Sequence, residues 1–169
     1  MIDKKLEKQI NYQINRELYS EYLYLAMSAY LEDKGLSGMA HFMRVQAEEE
    51  HFHAMKFYRY LNERGGRVIL DAIEKPPVEF DSPQAVFTKS LEHEKIVTGL
   101  INKLMDMAIA LNDHATRSFL GWYVDEQVEE EDSFQSIIDK LELIGGSGHG
   151  LLMMDKDLGV RVFTPPVEE

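Results

Sequence analysis

Glu50 and His53 stand one helical turn apart in a stretch whose apolar residues recur at helical steps. Met39, Met43, Gln46, Glu50, His53, Phe57 and Leu61 follow one another at intervals of three and four. That spacing puts them on one face of a helix running from about residue 38 to 65. Such a face should meet a core, yet a carboxylate and an imidazole occupy its middle. Groups so placed aim at a common point, and a helix can offer a metal ion two ligands this way. Taken singly, a core-facing histidine more often satisfies a hydrogen bond. A core-facing glutamate more often reaches out to solvent. Metal chemistry therefore needs partners at the same height on other elements.

Three further helical stretches supply them. The first runs from about 4 to 33 with Asp3 as N-cap. It turns inward Leu6, Ile10, Ile14, Glu17, either Tyr24 or Leu25, Ser28 and Leu31. The third runs from about 83 to 111, opened by Ser82 as cap and Pro83 at the first helical position. Its face is Phe87, Leu91, Glu94, Thr98, Ile101, Met105 and Ala108. The fourth runs from about 114 to 144, with Leu120, Tyr123, Gln127, Glu130, Phe134, Ile137, Leu141 and Ile144 in line. Each stripe thus carries one carboxylate near its middle: Glu17, Glu50, Glu94 and Glu130. Gln127 lies one turn from Glu130, as His53 does from Glu50.

The junctions say how the helices are joined. Gly35, with Ser37 as the next cap, makes a short link, so the first two helices are antiparallel neighbours. Gly65-Gly66 closes the second helix. Residues 66 to 82 then lack helical pattern, and Pro76-Pro77 stiffens them. Extended, that segment reaches ~50 Å, and a helix of ~28 residues is ~42 Å long. The connection can therefore run the length of the bundle and leave the second and third helices parallel. Its apolar Val68, Ile69, Leu70 and Val78 predict that it lies against the bundle. Asn112-Asp113 is a tight turn and cap, and Gly145-Gly146-Ser147-Gly148 ends the fourth helix. A short amphipathic helix, about 149 to 158, and a Pro-rich polar tail follow. The expectation is one all-α domain over residues 1–169: a four-helix bundle with one long crossover and a short fifth helix.

Magnitudes decide what four buried carboxylates require. One unpaired buried carboxylate costs several kcal/mol. Four together rival the ~5–15 kcal/mol that holds a domain folded. Arg44, Lys56, Arg59, Lys95 and Lys103 all fall off the inner stripes, so the helices bring no counter-charge of their own. Shared protons answer part of the repulsion. Bound divalent cations answer it more fully. Oxygen-rich ligation with a single His suits hard or borderline cations rather than a structural zinc site.

Composition agrees. At 169 residues the chain suffices for one domain with a sizeable core. A net charge of −12 disfavours nucleic acid and anionic membranes and suits a protein that gathers cations. There is no Cys, hence no disulfide, no thiolate site and no thiol nucleophile. No signal peptide or membrane span is visible, so the cytoplasm is the expected location.

Glu17, Tyr24, Glu49-Glu50-His51-Phe52-His53, Glu94 and Glu126-Gln127-Val128-Glu129-Glu130 together resemble the pattern of the non-haem bacterial and archaeal ferritins. The likeness spans the whole chain, including the crossover and the short fifth helix. It implies a ferritin-like bundle that acts as an iron store and a ferroxidase. Glu17, Glu50 and His53 would hold one iron. Glu50 would bridge to a second held by Glu94 and Glu130, with Gln127 nearby. Glu49, Glu126, Glu129 and Glu130 resemble a third, looser site, and Tyr24 matches a tyrosine beside the iron pair. The resemblance further implies oxidation of Fe(II) by O2 or peroxide. Fe(III) oxo-hydroxide would then be laid down inside a hollow homo-oligomer of 24 subunits. Leu151, Leu152, Met153 and Met154 resemble the segment lining its four-fold pores.

Two departures refine this. Gln127 stands where a symmetric centre would place the Glu of a second Glu-x-x-His, and Glu130 where it would place the His. The second iron thus lacks an imidazole and should be held less firmly. Haem-binding relatives carry that second motif, and a Met where Phe52 stands, so no haem is expected; Met55 reads as packing.

Plainer readings stand beside these. Tyr24 is either a core tyrosine with a satisfied hydroxyl or a redox partner. Glu126 and Glu129 are either ligands or a solvated acidic face, on which Trp122 packs. His41, His51, His93, His114 and His149 read as surface groups, with a pore lining as the alternative for His149, and Tyr12, Tyr19 and Tyr22 read as subunit contacts. Arg117 leaves an acidic channel at Asp113 and His114 in doubt. A di-iron oxidase or peroxidase without storage remains a rival, as does a helical interaction module with protonated carboxylates.

Overall fold

The computed structural model describes residues 2–165. Among them the regular structure is five helices: α1 (Lys4–Asp33), α2 (Ser37–Glu63), α3 (Pro83–Ala110), α4 (His114–Ile144) and α5 (Gly148–Leu158). Each falls within two residues of its predicted span. Residues 166–169 of the polar tail lie outside the described residues. Among the described residues no helix is long and apolar enough to cross a membrane.

The helix ends largely follow their sequence signals. Asp3 accepts from the Lys5 amide at 2.7 Å. Ser82 accepts from Ala85 at 3.1 Å ahead of Pro83. Asp113 accepts from Thr116 at 3.0 Å, after Asn112 has turned the chain at φ 53. The start of α2 differs. Ser37 is the first helical residue, not the cap; the cap position is Leu36, which offers no side-chain hydrogen bond. Leu36 is buried in the core and its apolar side chain cannot accept. Instead Asp155 of α5 takes the Met39 amide at 2.8 Å. That docking needs Gly38, because a Cβ there would lie 1.8 Å from the Asp155 carbonyl oxygen.

The crossover runs beside α1. The Asn11 amide donates to the Arg67 carbonyl at 2.9 Å, and its oxygen accepts from Ile69 at 2.6 Å. Asn15 donates to the Ala72 carbonyl at 3.0 Å, and Phe80 meets Tyr30 edge-on at 5.2 Å. The segment thus travels from the first turns of α1 to its end and delivers α3 parallel to α2, as its length allows. Asparagine hydrogen bonds, rather than its apolar residues, fasten it. Ile69, Leu70 and Val78 are exposed, and only Val68 among the four apolar residues packs on the core. An extended segment outside any sheet must find partners for its amides and carbonyls. Asparagine carries both a donor and an acceptor, so it can serve each.

The helices enclose two separate apolar clusters. One gathers Met27, Leu31, Met39, Met43, Phe87, Phe134 and Leu141. The other gathers Leu6, Ile10, Ile14, Phe57, Leu61, Ile101, Leu104 and Leu120. Tyr24 is fully buried and Leu25 exposed, which resolves that choice on α1. On α3 the register favours Leu104, while Met105 and Thr98 are half-buried. Arg64 closes the far end with paired bonds of 2.9 Å to both oxygens of Asp113, tying the end of α2 to the start of α4. That guanidinium holds the Asp113 carboxyl down at about 2.

Gly38→Ala should overpack the α2–α5 contact and cost about 1–3 kcal/mol. The expected result is a lower midpoint in guanidinium unfolding. An unchanged midpoint would show that α5 docks by other means.

Candidate metal centre

Between the two apolar clusters lies a polar layer to which every bundle helix contributes. The stripes that bury Ile10 and Ile14 on α1 also bury Gln13 and Glu17, because steps of three and four return to one face. On α2 the same periodicity buries Gln46, Glu50 and His53; on α3 it buries Glu94, and on α4 Gln127 and Glu130.

One ligand atom from each of Glu17, Glu50 and His53 lies within 4.8 Å of the others. His53, Glu126 and Glu130 form a second such group. Within the first, His53 Nδ1 is 3.6 Å from Glu50 Oε2. Glu17 Oε1 accepts from Gln13 at 2.8 Å, while its Oε2 is buried with no hydrogen-bond partner. An orphaned carboxylate oxygen beside a second carboxylate and an imidazole is a ready cation ligand.

The remaining oxygens are held by neutral donors. Gln46 Nε2 donates to Glu50 Oε1 at 3.1 Å and to Glu130 Oε1 at 2.9 Å. Gln127 Nε2 donates to Glu94 Oε2 at 3.1 Å, and the Tyr24 hydroxyl donates to Glu94 Oε1. Tyr123 donates to the His53 carbonyl at 2.8 Å, so the α2 backbone is pinned from α4 at the centre.

Burial, reinforced by the neighbouring Glu50 charge, lifts the Glu17 carboxyl to about 8. Burial and the Glu94 charge lift Glu130 likewise to about 8. Glu50 and Glu94 are raised well above the carboxylate range for the same two reasons. Burial and then Glu94 raise the Tyr24 hydroxyl well above its ordinary value. Near neutral pH the metal-free layer therefore holds protons that an entering cation must displace.

The predicted residues divide accordingly. Glu17, Glu50, His53 and Glu130 meet in the groups above. Glu94 is buried in the same layer but belongs to neither group, its oxygens being taken by Tyr24 and Gln127. Glu126 joins the second group from a half-buried position. Glu49 is half-buried, and Glu129 is exposed and in neither group. Trp122 packs against Phe52 and His53 beside Glu126.

Several further residues take part in the layer. Gln13 had the signal of lying four residues before Glu17, and Gln46 sat openly on the α2 stripe. The helices were expected to leave the cluster without a cation, yet Arg161 reaches its edge from beyond α5, bonding Gln46 and Glu49. Nothing local in the polar tail announces this. His93 is half-buried rather than a surface group. Its ring nitrogen lies 2.7 Å from Ser20 Oγ, and burial with Arg16 nearby lowers it to about 4. His41 is half-buried too, bonding the Arg161 carbonyl at 2.9 Å, whereas His51, His114 and His149 are exposed as expected.

Comparison with known proteins gives a consistent result. The family model described as ferritin-like domain matches residues 7–144. A protein of Haemophilus influenzae named probable bacterial non-heme ferritin-like protein is 44% identical, the match covering 94% of this chain and 96% of that one. A bacterial non-heme ferritin of Staphylococcus epidermidis is 42% identical over 96% and 98% of the two chains. Among solved structures, an open-pore ferritin from the archaeon Archaeoglobus fulgidus superposes with a TM-score of 0.95 at 50% identity, over 96% of this chain and all of that one. A form of that ferritin engineered to be closed gives 0.96 at 51% identity, over 97% of this chain and all of that one.

The raised carboxyls set the pH dependence. Glu17 keeps its proton in the metal-free fold to about pH 8, while its ordinary value is 4.5. The native state then binds more protons than the unfolded chain between those values. This contribution to stability is full below about 4.5 and is lost as pH rises through about 8. Melting in chelator should therefore weaken as pH rises from about 5.5 to 8.5, and the gain on adding Zn(II) should grow over the same range. A gain that shrank with pH would contradict protonated ligands.

Proposed function

We propose a function from one premise: the chain belongs to the ferritin family, and within it acts as a ferroxidase that feeds an iron store. The observation that carries this is the convergence of Glu17, Glu50 and His53 within 4.8 Å in a buried layer, with no amide or hydroxyl donating to Glu17 Oε2. Fe(II) is the substrate. Glu17, Glu50 and His53 take one ion, and Glu50, Glu94 and Glu130 take a second, with Gln127 donating to Glu94. Each Fe(II) gives up one electron, and O2 accepts two electrons and two protons to become hydrogen peroxide; peroxide can serve as oxidant in turn. The protons displaced from the carboxyls on metal binding are available for that step.

Glu49, Glu126, Glu129 and Glu130 form the outer, third position. The second group, His53 with Glu126 and Glu130, supports an ion on this side; it shares His53 with the first group, and Glu130 with the second ion of the proposed pair. The exposed Glu129 contributes charge at its approach. Tyr24, hydrogen-bonded to Glu94, is placed to exchange an electron and a proton with the pair. No haem is required by this chemistry. Fe(III) leaves by hydrolysis and grows as oxo-hydroxide mineral.

Mineral needs a container. We take the chain to be one ferritin-like domain and the assembly to be a homo-oligomeric shell of 24 subunits in the cytoplasm, without nucleic-acid or membrane partners. Exposed Tyr12, Tyr22, Ile69 and Leu70 on the α1–crossover side support burial against other copies. Particle size by electron microscopy separates this shell from a small oligomeric di-iron oxidase, which would take up only the ions its site can hold.

Glu50→Ala removes the residue shared by both ions of the pair. It should slow Fe(II) oxidation at least ~100-fold, since even supporting residues around metal sites give ~10–100-fold losses. The shell should stay assembled. Stopped-flow oxidation at a native rate in this variant would contradict the assignment.

A further inference from the structure

Beyond α5 the chain turns back along α2. Gly159 follows the helix, and Arg161 then points its guanidinium between two acceptors on α2. Nη1 donates to Gln46 Oε1 at 2.7 Å, and Nη2 donates to Glu49. The guanidinium also lies 4.1 Å from the centre of the Phe42 ring. Further on, Phe163 meets Phe52 edge-on at 5.8 Å. This strap forms one wall of a cleft of about 370 Å3. Val162 and Phe163 line it on that side, and Glu49, His53, Trp122 and Glu126 on the other.

We propose that Arg161 is the resident counter-cation of Glu49 at the edge of this cleft. It occupies Glu49 until a divalent cation arrives, and its second contact orients Gln46 toward Glu50 and Glu130. The inference rests on the proposed reading that the cleft side takes an outer metal ion.

The chemistry of an amide makes the second half of the claim. Gln46 has one acceptor oxygen and two N–H donors. Its nitrogen serves Glu50 and Glu130 while its oxygen serves Arg161. Flipped, the amide would set its oxygen against two carboxyl groups and its NH2 against a guanidinium. Arg161 therefore selects the orientation that steadies two ligands of the proposed pair. Charge makes the first half. A cation on Glu49 and Glu126 would have to share the Glu49 carboxylate with a guanidinium, and both partners of the Arg161–Glu49 contact are four-fifths buried. Two positive groups on one poorly solvated carboxylate repel, so one leaves. The singly charged guanidinium sits on a non-helical strap beyond α5 and gives way to the doubly charged ion. Its departure frees the Gln46 oxygen. The outer ion and the pair are thus linked through one side chain, and such linkage is reciprocal.

The test uses the full-length assembled protein and Co(II), which air does not oxidise under mild conditions. Stepwise affinities are read by calorimetry. Arrival at the cleft is read by quenching of Trp122, the single tryptophan of the chain. Arg161→Gln should tighten the outer Co(II) equivalent about tenfold or more without tightening the inner ones, since one competing charge is removed. Arg161→Lys keeps the charge and should stay near the wild type. A merely structural role would loosen every equivalent together. An outer equivalent unchanged or weakened in Arg161→Gln overturns the inference while leaving the metal centre intact. A wild type that binds no Co(II) overturns both.

Discussion

The structure depends on a layer of carboxyl groups buried between two apolar clusters. Glu17, Glu50, Glu94 and Glu130 are each at most 4% exposed, so none can shed its desolvation cost into water. The layer survives in the metal-free fold through neutral hydrogen-bond donors and retained protons. Gln13, Gln127 and Tyr24 each give a hydrogen bond to one of these carboxyls, and Gln46 gives one to each of two. An amide steadies a carboxyl without neutralising it. A lysine in the same place would form an ion pair strong enough to exclude an incoming cation. Fixed positive charge is kept to the edge, where Arg161 meets Glu49.

The rest of the fold keeps that layer in register. The apolar clusters on either side give the helices a reason to stay aligned along their whole length. At one end Arg64 clamps Asp113, and at the other Asp155 caps α2. The crossover, held by Asn11 and Asn15, fixes α3 against α1 so that Glu94 comes level with Tyr24. A slip of one turn in any helix moves its carboxyl about 5.4 Å along the bundle, beyond any shared ligand geometry. Caps and clamps far from the centre therefore bear on whether it exists.

Much of this was legible because it is periodic or local. Four carboxyls on four apolar stripes are a pattern of spacing, and Gly35, Pro83, Asn112-Asp113 and Gly145 mark boundaries through their own backbone preferences. Where spacing leaves two choices, packing decides. Tyr24 and Leu25 are seven and eight residues after Glu17 and both approach the inner face; burial took the tyrosine, whose hydroxyl could reach Glu94. What escaped notice is long-range and polar. The α2 start looked capped by Ser37, but its acceptor comes from Asp155, far along the chain. The crossover looked held by apolar residues, but its backbone needed asparagine. Arg161 sits in a tail with no periodicity to read.

The centre is also unequal across its width, and the inequality follows from which oxygens are already engaged. On the α1–α2 side, Glu17 Oε2 takes no hydrogen bond from an amide or hydroxyl, and His53 is one turn from Glu50. On the α3–α4 side, both Glu94 oxygens are taken, and Glu130 Oε1 accepts from Gln46. A hydrogen bond between neutral groups is worth about 0.5–1.5 kcal/mol, so a cation that claims Glu94 must displace two such bonds and the proton that burial holds on the carboxyl. It finds an amide in Gln127 where the other side offers an imidazole. On the proposed assignment, one position binds by filling an open ligand set and the other by exchanging existing bonds. The second ion is then the less firmly held. A centre whose product must move on to a mineral has use for such a position, whereas one that keeps its metals would close both sides alike.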